Sequence, residues 1–210
     1  MCTVQRISCG FVNCYLLMDD AGAILIDTAN PHCSDLILRQ LGNVSVNLIV
    51  LTHGHSDHVG SAAELSQKLH APVAMHEADT PLITAPASRK LQGHTLLGRV
   101  LAGASQSVMA KTRVSPFVLT VPVDEGFDLS AYGVRAHVVA LPGHTAGSIG
   151  ILTNTGDIIV GDAAFHMLRP TGARIYEDRK EMEASVEKIK CLCTGSIYVG
   201  HGNPIKVTDL

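Results

Sequence analysis

Histidine and aspartate are crowded into one short stretch of this chain. Residues 53–58 hold three imidazoles and a carboxylate within six positions, directly after an apolar run rich in β-branched residues. His53 and His55 are two positions apart, so in an extended loop both can reach one metal ion. Asp57 and His58 open the next helix and can turn towards a neighbouring ion. Imidazole and carboxylate together suit zinc, iron or manganese, so the spacing predicts a metal site in this loop.

Three later residues stand in comparable loops, each after a β-like run and each beside a glycine. They are His144, Asp162 and His201. Glycine lets the backbone pass close to a crowded site. We therefore expect seven ligands for two metal ions: His53, His55 and His144 on the first, Asp57, His58 and His201 on the second, and Asp162 bridging both.

The elements that must position these loops follow from the hydrophobic pattern. Apolar runs and alternating apolar residues predict ten strands, at 4–7, 12–18, 23–27, 46–51, 72–75, 118–121, 134–141, 149–153, 158–160 and 197–199. Apolar residues at helical spacing predict helices at 34–41, 61–70 and 177–192. Strands and helices alternate in two similar halves. Two sheets packed face to face, with helices outside, would bury both the strands and the apolar helix faces, which makes this an α/β protein.

Residues 80–116 interrupt the alternation. They contain three prolines and a leucine-rich stretch in which Leu97, Val100, Leu101, Ala104 and Val108 recur at helical spacing. This pattern predicts a helical insert, or lid, within a single domain of residues 1–210. We expect the insert to select the substrate.

Composition narrows the choice of partners and compartment. The chain has 16 basic and 19 acidic residues, a formal charge of −3 and no basic run, which argues against nucleic acid or an anionic membrane and favours a small-molecule substrate. Apolar runs are shorter than the roughly 20 residues that span a bilayer, and the N-terminus does not resemble a signal peptide, so we expect a cytoplasmic protein. The six cysteines form no CxxC pair and are expected to be reduced, structural thiols.

The local motifs around the seven residues resemble those of the metallo-β-lactamase superfamily. The resemblance rests on HxHxDH at 53–58, PGHT at 142–145, GD at 161–162 and GH at 200–201, in order and spacing over nearly the whole chain. It implies a four-layer αββα sandwich and two divalent metal ions, with zinc favoured over iron or manganese. It also implies that Asp27, which ends a predicted strand, orients the ligand loop.

The resemblance also implies a chemistry. Two ions about 3.5–4 Å apart would share a water as hydroxide, and this hydroxide would attack a carbonyl with Asp57 as proton carrier. This chemistry suits an ester, thioester or lactone.

Residues 161–165 are similar to glyoxalase II, but only nine residues follow His201, fewer than that enzyme's C-terminal helical domain needs. Acyl-homoserine lactonases carry a tyrosine where Phe165 stands, and Tyr176 is the nearest substitute. β-Lactam hydrolysis is disfavoured, and we expect a thioesterase or lactonase-like acyl hydrolase.

Other functions share part of this pattern. A persulfide dioxygenase-like enzyme would hold one iron through His53, His144 and Asp162, a set of two histidines and one carboxylate that leaves positions open for oxygen. A flavodiiron oxidoreductase, a nuclease and a non-catalytic binding module fit less well. His76 and His166 stand where they could approach the pocket, although a role in the core or on the surface is the better interpretation of both.

Overall fold

The computed structural model describes residues 1–210 and contains thirteen strands and six α-helices. The strands are β1 Thr3–Cys9, β2 Val12–Asp19, β3 Gly22–Ile26, β4 Leu48–Val50, β5 Val73–Met75, β6 Val121–Pro122, β7 Ala136–Ala140, β8 Ile149–Thr153, β9 Ile158–Ile159, β10 Ala164–His166, β11 Pro170–Gly172, β12 Ser196–Tyr198 and β13 Ile205–Lys206. The helices are α1 Ser34–Leu41, α2 Ser56–Val59, α3 Ala62–Leu69, α4 Thr80–Thr84, α5 Leu96–Met109 and α6 Arg179–Leu192. No helix has the length and apolar character that crossing a bilayer requires.

The strands form two large sheets and one hairpin. The first sheet has the order β1-β2-β3-β4-β5-β6, antiparallel as far as β3 and parallel from β3 to β6. The second has the order β13-β12-β9-β8-β7, and β10 pairs with β11 in the separate hairpin. β2 and β3 form a hairpin closed by a tight turn, in which Asp19 pairs with Gly22.

Alternation along the strands divides the core into layers. In β2 and β3, Leu16 and Leu25 face a cluster shared with α1 and α3, whereas Leu17 and Ile24 face a cluster shared with the second sheet. A third cluster lies between the second sheet and α6 and includes Ile189. Because successive strand residues point to opposite faces, each sheet is covered on one side by helix and on the other by the opposing sheet. The predicted αββα sandwich is confirmed.

Most predicted elements are present with bounds shifted by one to three residues, and two of the differences have a clear physical cause. Helix α1 spans 34–41 as expected, but α6 begins at Arg179 because the side chain of Asp178 caps it by accepting the backbone N–H of Glu181. The strand expected at 118–121 is reduced to Val121–Pro122. Val118 is 75% exposed, so no core layer holds it in register.

The region 80–116 contains α4 and α5, but the apolar stripe of α5 does not face the core. Leu97 and Val100 are 55% and 62% exposed, and the helix packs instead through Gly98, Ala102 and Met109. Small residues on the packed face let the helix lie close to its neighbours. The larger apolar side chains are therefore left at the surface.

Replacing Leu48 by alanine should lower the free energy of unfolding by about 2–5 kcal/mol, because this fully buried side chain fills the layer between the sheets. Urea unfolding followed by circular dichroism measures the change. Leu36→Ala, on the half-exposed side of α1, is the matched control and should cost less than about 1 kcal/mol. Equal losses for the two variants would contradict the assigned layer.

Candidate metal centre

The predicted ligands lie in loops that follow four strands. The loop after β4 carries residues 53–58, and the loops after β7, β9 and β12 carry His144, Asp162 and His201. The strands end at one edge of the two packed sheets, where the backbone leaves the ladder and side chains can converge. This is the usual place for a site in an α/β protein.

All seven predicted side chains come together there. Three groups each have their ligand atoms within 4.8 Å of one another, namely His53, His55 and His144; His53, His58 and Asp162; and Asp57, His58 and His201. Asp162 lies between the two outer groups, with Oδ2 3.6 Å from His144 Nε2 and 3.3 Å from His201 Nε2. A carboxylate in this position can face two cations at once.

The histidine rings are turned so that nitrogen lone pairs point inward. His58 Nδ1 donates to Asp27, His144 Nδ1 donates to the carbonyl of Ile175, and His201 Nδ1 donates to the carbonyl of Phe11. A ring whose Nδ1 carries the proton presents Nε2 as the free acceptor, which is the form that binds a metal. The surrounding chain therefore fixes the ring form that a cation needs.

Three buried atoms in the cluster have no hydrogen-bond partner: His53 Nε2, His58 Nε2 and Asp162 Oδ1. A buried polar atom without a partner costs about 1–3 kcal/mol. In addition, His55 Nδ1 faces His144 Nε2 at only 3.0 Å. Divalent cations would satisfy these atoms together, and a mixed imidazole and carboxylate set suits zinc, iron or manganese, so the residues present fit the implied metals.

The charges in the cluster are strongly coupled. Burial lowers the pKa of His53 well below its usual range and that of His55 to about 3. Burial also opposes a charge on His58 and His201, but the neighbouring carboxylates, Asp162 first, raise the pKa of His58 well above its usual range and that of His201 to about 10. Burial would raise the pKa of Asp162, yet His201 and His58 hold it well below its usual range. Without metal, these two histidines carry the charge that balances Asp162.

Asp27 is the orienting acid that the resemblance implied. Its side chain accepts hydrogen bonds from His58 Nδ1 at 2.8 Å, from the backbone N–H of Thr52 at 2.8 Å and from the Thr52 hydroxyl. The residue is buried and has a φ of 60°, in the left-handed region that non-glycine residues rarely adopt. These bonds hold Asp27 in that conformation and connect the strand end to the ligand loop.

Asp79 was not expected from the sequence and joins two ligand loops. Its fully buried carboxylate accepts the N–H of Gly54 at 2.8 Å, beside His53 and His55, and the Thr145 hydroxyl at 2.6 Å, beside His144. It also accepts the N–H of Gly147 at 2.9 Å. A Cβ on Gly54 or Gly147 would lie 2.9 or 2.7 Å from Asp79 atoms, so only glycine permits this approach. The available sequence signal was an acid shortly after the buried strand β5.

Arg89 and Glu177 extend this connection. Arg89 Nη1 donates to Asp79 Oδ1 at 3.0 Å and to Glu177 Oε2 at 2.9 Å, and its Nη2 donates to the carbonyl of Ala78. Glu177 in turn accepts the N–H of Ala146 at 3.0 Å. Arg89 belongs to the insert, so the insert supports the loop of His144 through this network.

His76 and His166 make their side-chain contacts outside the cluster. His76 caps a turn and faces Asp124 at 3.5 Å, while His166 Nδ1 contacts the carbonyls of Asn203 and Pro204. Tyr176 is buried and stacks on His94, so it does not replace a tyrosine at position 165. Phe165 itself stacks on His201 with ring centroids 5.4 Å apart.

Zinc binding to the metal-free protein should release about two protons at pH 7. His58 and His201 have raised pKa values and are therefore protonated at that pH, whereas a ligand must be deprotonated. Zinc affinity should consequently fall as the pH falls. Calorimetry in two buffers with different heats of ionisation counts the protons, and His201→Ala should release about one fewer. Equal heats in both buffers would contradict the charge state.

Asp79→Asn should weaken zinc affinity by about 10–100-fold. An amide has only one acceptor oxygen and no charge, so it cannot keep the hydrogen bonds from Gly54 and Gly147 together with the ion pair to Arg89. Competition with a fluorescent chelator measures the affinity. Asp35→Asn, which removes an exposed carboxylate paired with Lys68, serves as the control. Unchanged affinity in Asp79→Asn would show that the two loops hold their positions without this residue.

Comparison with known proteins agrees with this geometry. The chain is 28% identical over 205 residues to the Beta-lactamase-like protein 2 homolog of Caenorhabditis elegans. The aligned region covers 90% of this chain and 55% of that protein. It is 24% identical to “Probable metallo-hydrolase YflN” of Bacillus subtilis, over 87% of this chain and 76% of that protein. This chain therefore spans little more than half the length of the Caenorhabditis elegans relative.

A solved structure also resembles this chain over almost its whole length. TTHA1623 in a di-iron-bound form is similar with a TM-score of 0.72 and 27% identity, covering 98% of this chain and 96% of that one. The family model for the metallo-beta-lactamase superfamily matches residues 7–201. Because that match includes nearly the whole chain and all seven residues of the cluster, the chain belongs to the metallo-β-lactamase superfamily.

Proposed function

We propose that the chain is a hydrolase that holds two divalent metal ions, zinc by preference, and cleaves an ester, thioester or lactone of a small molecule. The observation that carries the proposal is the pair of ligand groups that meet at Asp162. The group of Asp57, His58 and His201 would have no role with a single ion at His53, His55 and His144. The buried, unpartnered Nε2 of His58 supports a second ion.

Two bound ions would supply a hydroxide nucleophile at neutral pH and polarise the carbonyl of the substrate. The chain's own residues decide from which side the substrate approaches. The side chains of His58 and His144 are 0% and 1% exposed, whereas those of Asp57 and His201 are 33% and 16% exposed. The substrate therefore enters past Asp57 and His201.

Asp57 is the residue best placed to move a proton. Its Oδ2 lies 3.4 Å from His201 Nε2, and it is the most exposed of the seven side chains. From this position it can take a proton from a nucleophile and give it to a leaving alkoxide. A thiolate leaving group needs little protonation, so thioesters are the least demanding substrates for this arrangement.

The relatives support the coarse features of the proposal. The Bacillus subtilis relative is named as a metallo-hydrolase, and TTHA1623 has been solved with two irons. The same ligand set therefore also suits iron.

Protein purified without added metal should contain about two zinc, iron or manganese ions per chain and should hydrolyse members of a panel of thioesters and lactones. Asp162→Ala should lower the metal content to one ion or less and reduce hydrolysis at least about 100-fold, because the residue faces His144 of one ligand group and His201 of the other. Elemental analysis and a thiol-release assay measure the two quantities. Asp124→Ala removes an exposed carboxylate and should change neither.

One iron per chain together with oxygen consumption would replace this proposal by the persulfide dioxygenase-like alternative, in which His53, His144 and Asp162 hold the ion. Two ions without hydrolysis of any ester, thioester or lactone would reject the substrate class and leave the metal centre intact.

A further inference from the structure

A cavity of about 700 Å³ lies beside the metal centre, between the N-terminal end of α5, the strand β11 with the residues after it, and α6. Its volume falls within the roughly 300–1,000 Å³ of small-molecule sites. None of the seven clustered residues lines it. It therefore lies next to the metal centre, outside the set of residues that would hold the metals.

The cavity shares a wall with the metal centre. Thr171 lines the cavity and pairs in the β10–β11 hairpin with Phe165, which stacks on His201. Arg174 also lines the cavity, and the next residue, Ile175, accepts the hydrogen bond of His144 Nδ1 at 2.9 Å. The same short segment thus contacts two residues of the cluster and also lines the cavity.

Two arginines that line the cavity have no partner in the protein. Arg169 and Arg174 line it, and neither forms an ion pair or a side-chain hydrogen bond. The two acids in its wall are already neutralised, Glu183 by Arg179 at 2.7 Å and Glu187 by Lys190 at 2.9 Å. The net effect is a site that favours an anion.

The end of α5 adds to this preference. Thr95 lines the cavity and caps this fourteen-residue helix by accepting the N–H of Gly98 at 2.9 Å. The free N–H groups and the dipole at a helix N-terminus attract anions, phosphate among them. Leu97, Met182 and Val186 form the apolar part of the wall, so the cavity suits a ligand that has both an apolar segment and a phosphate.

We propose that this cavity binds the phosphate-bearing leaving group of an acyl thioester or ester, with Arg169 and Arg174 contacting the phosphate. The inference rests on the proposed function, because it names the leaving group of that same hydrolysis. It also gives the insert a defined part in substrate selection, since α5 contributes the apolar wall and the helix N-terminus.

The test uses the metal-loaded protein and two thioesters with the same acyl group, one of coenzyme A and one of the uncharged N-acetylcysteamine. The double variant Arg169→Ala/Arg174→Ala should raise KM for the coenzyme A thioester at least about tenfold, because charge-assisted contacts to phosphate are lost. For the uncharged thioester, kcat/KM should stay within about twofold. Arg113→Ala, an exposed arginine outside the cavity, is the control and should alter neither substrate.

A binding measurement separates this inference from the proposed function. Desulfo-coenzyme A, which lacks the thiol, should bind the metal-loaded wild-type protein in calorimetry, more weakly at high salt and at least about tenfold more weakly to the double variant. Binding that depends on the two arginines, with no ester, thioester or lactone hydrolysed, would overturn the hydrolase and keep the site. Hydrolysis of both thioesters with identical KM values in wild type and double variant would overturn the site and keep the hydrolase.

Discussion

The buried charge of Asp162 is the constraint on which the arrangement of this protein depends. The carboxylate lies where two sheets end, with a side chain only 6% exposed, and its oxygens face His58 and His201 at 3.3 Å. Burying a carboxylate costs several kcal/mol unless cations compensate it. Protonated imidazoles do so in the metal-free protein and divalent ions can do so in the loaded one. Each loop must therefore hold its ligand at a fixed distance from one central charge.

That requirement explains the two buried acids around the cluster. Asp27 connects the end of β3 with Thr52 and His58, while Asp79 connects the loop of His53 with that of His144. Each carboxylate accepts several donors from segments that are distant in sequence. Because hydrogen bonds to a buried charge are strong, the loops are fixed relative to the sheets and to one another. The glycines beside them permit contacts that a Cβ would block.

The insert lies outside the sandwich and supports the metal centre through side-chain contacts. Arg89 joins Asp79 to Glu177, and α5 forms one wall of the cavity beside β11. Because α5 packs mainly through small residues, its leucines and valines lie at the surface. Under the proposal above, the insert contacts the leaving group without touching the metals, which separates the choice of leaving group from the chemistry.

The sequence by itself determined the layers and the residues of the cluster. Residues 53–58, His144, Asp162 and His201 follow apolar runs, and strand ends in such a sandwich meet at one edge, so their convergence could be predicted from local pattern alone. Only the tertiary structure decided the roles of Asp79 and Arg89 and the exposed face of α5. It also decided that Arg169 and Arg174 line a cavity without a partner in the protein. These features depend on contacts between segments far apart in the chain, and hydrophobic periodicity reports which residues are buried but not which distant donors a buried acid meets.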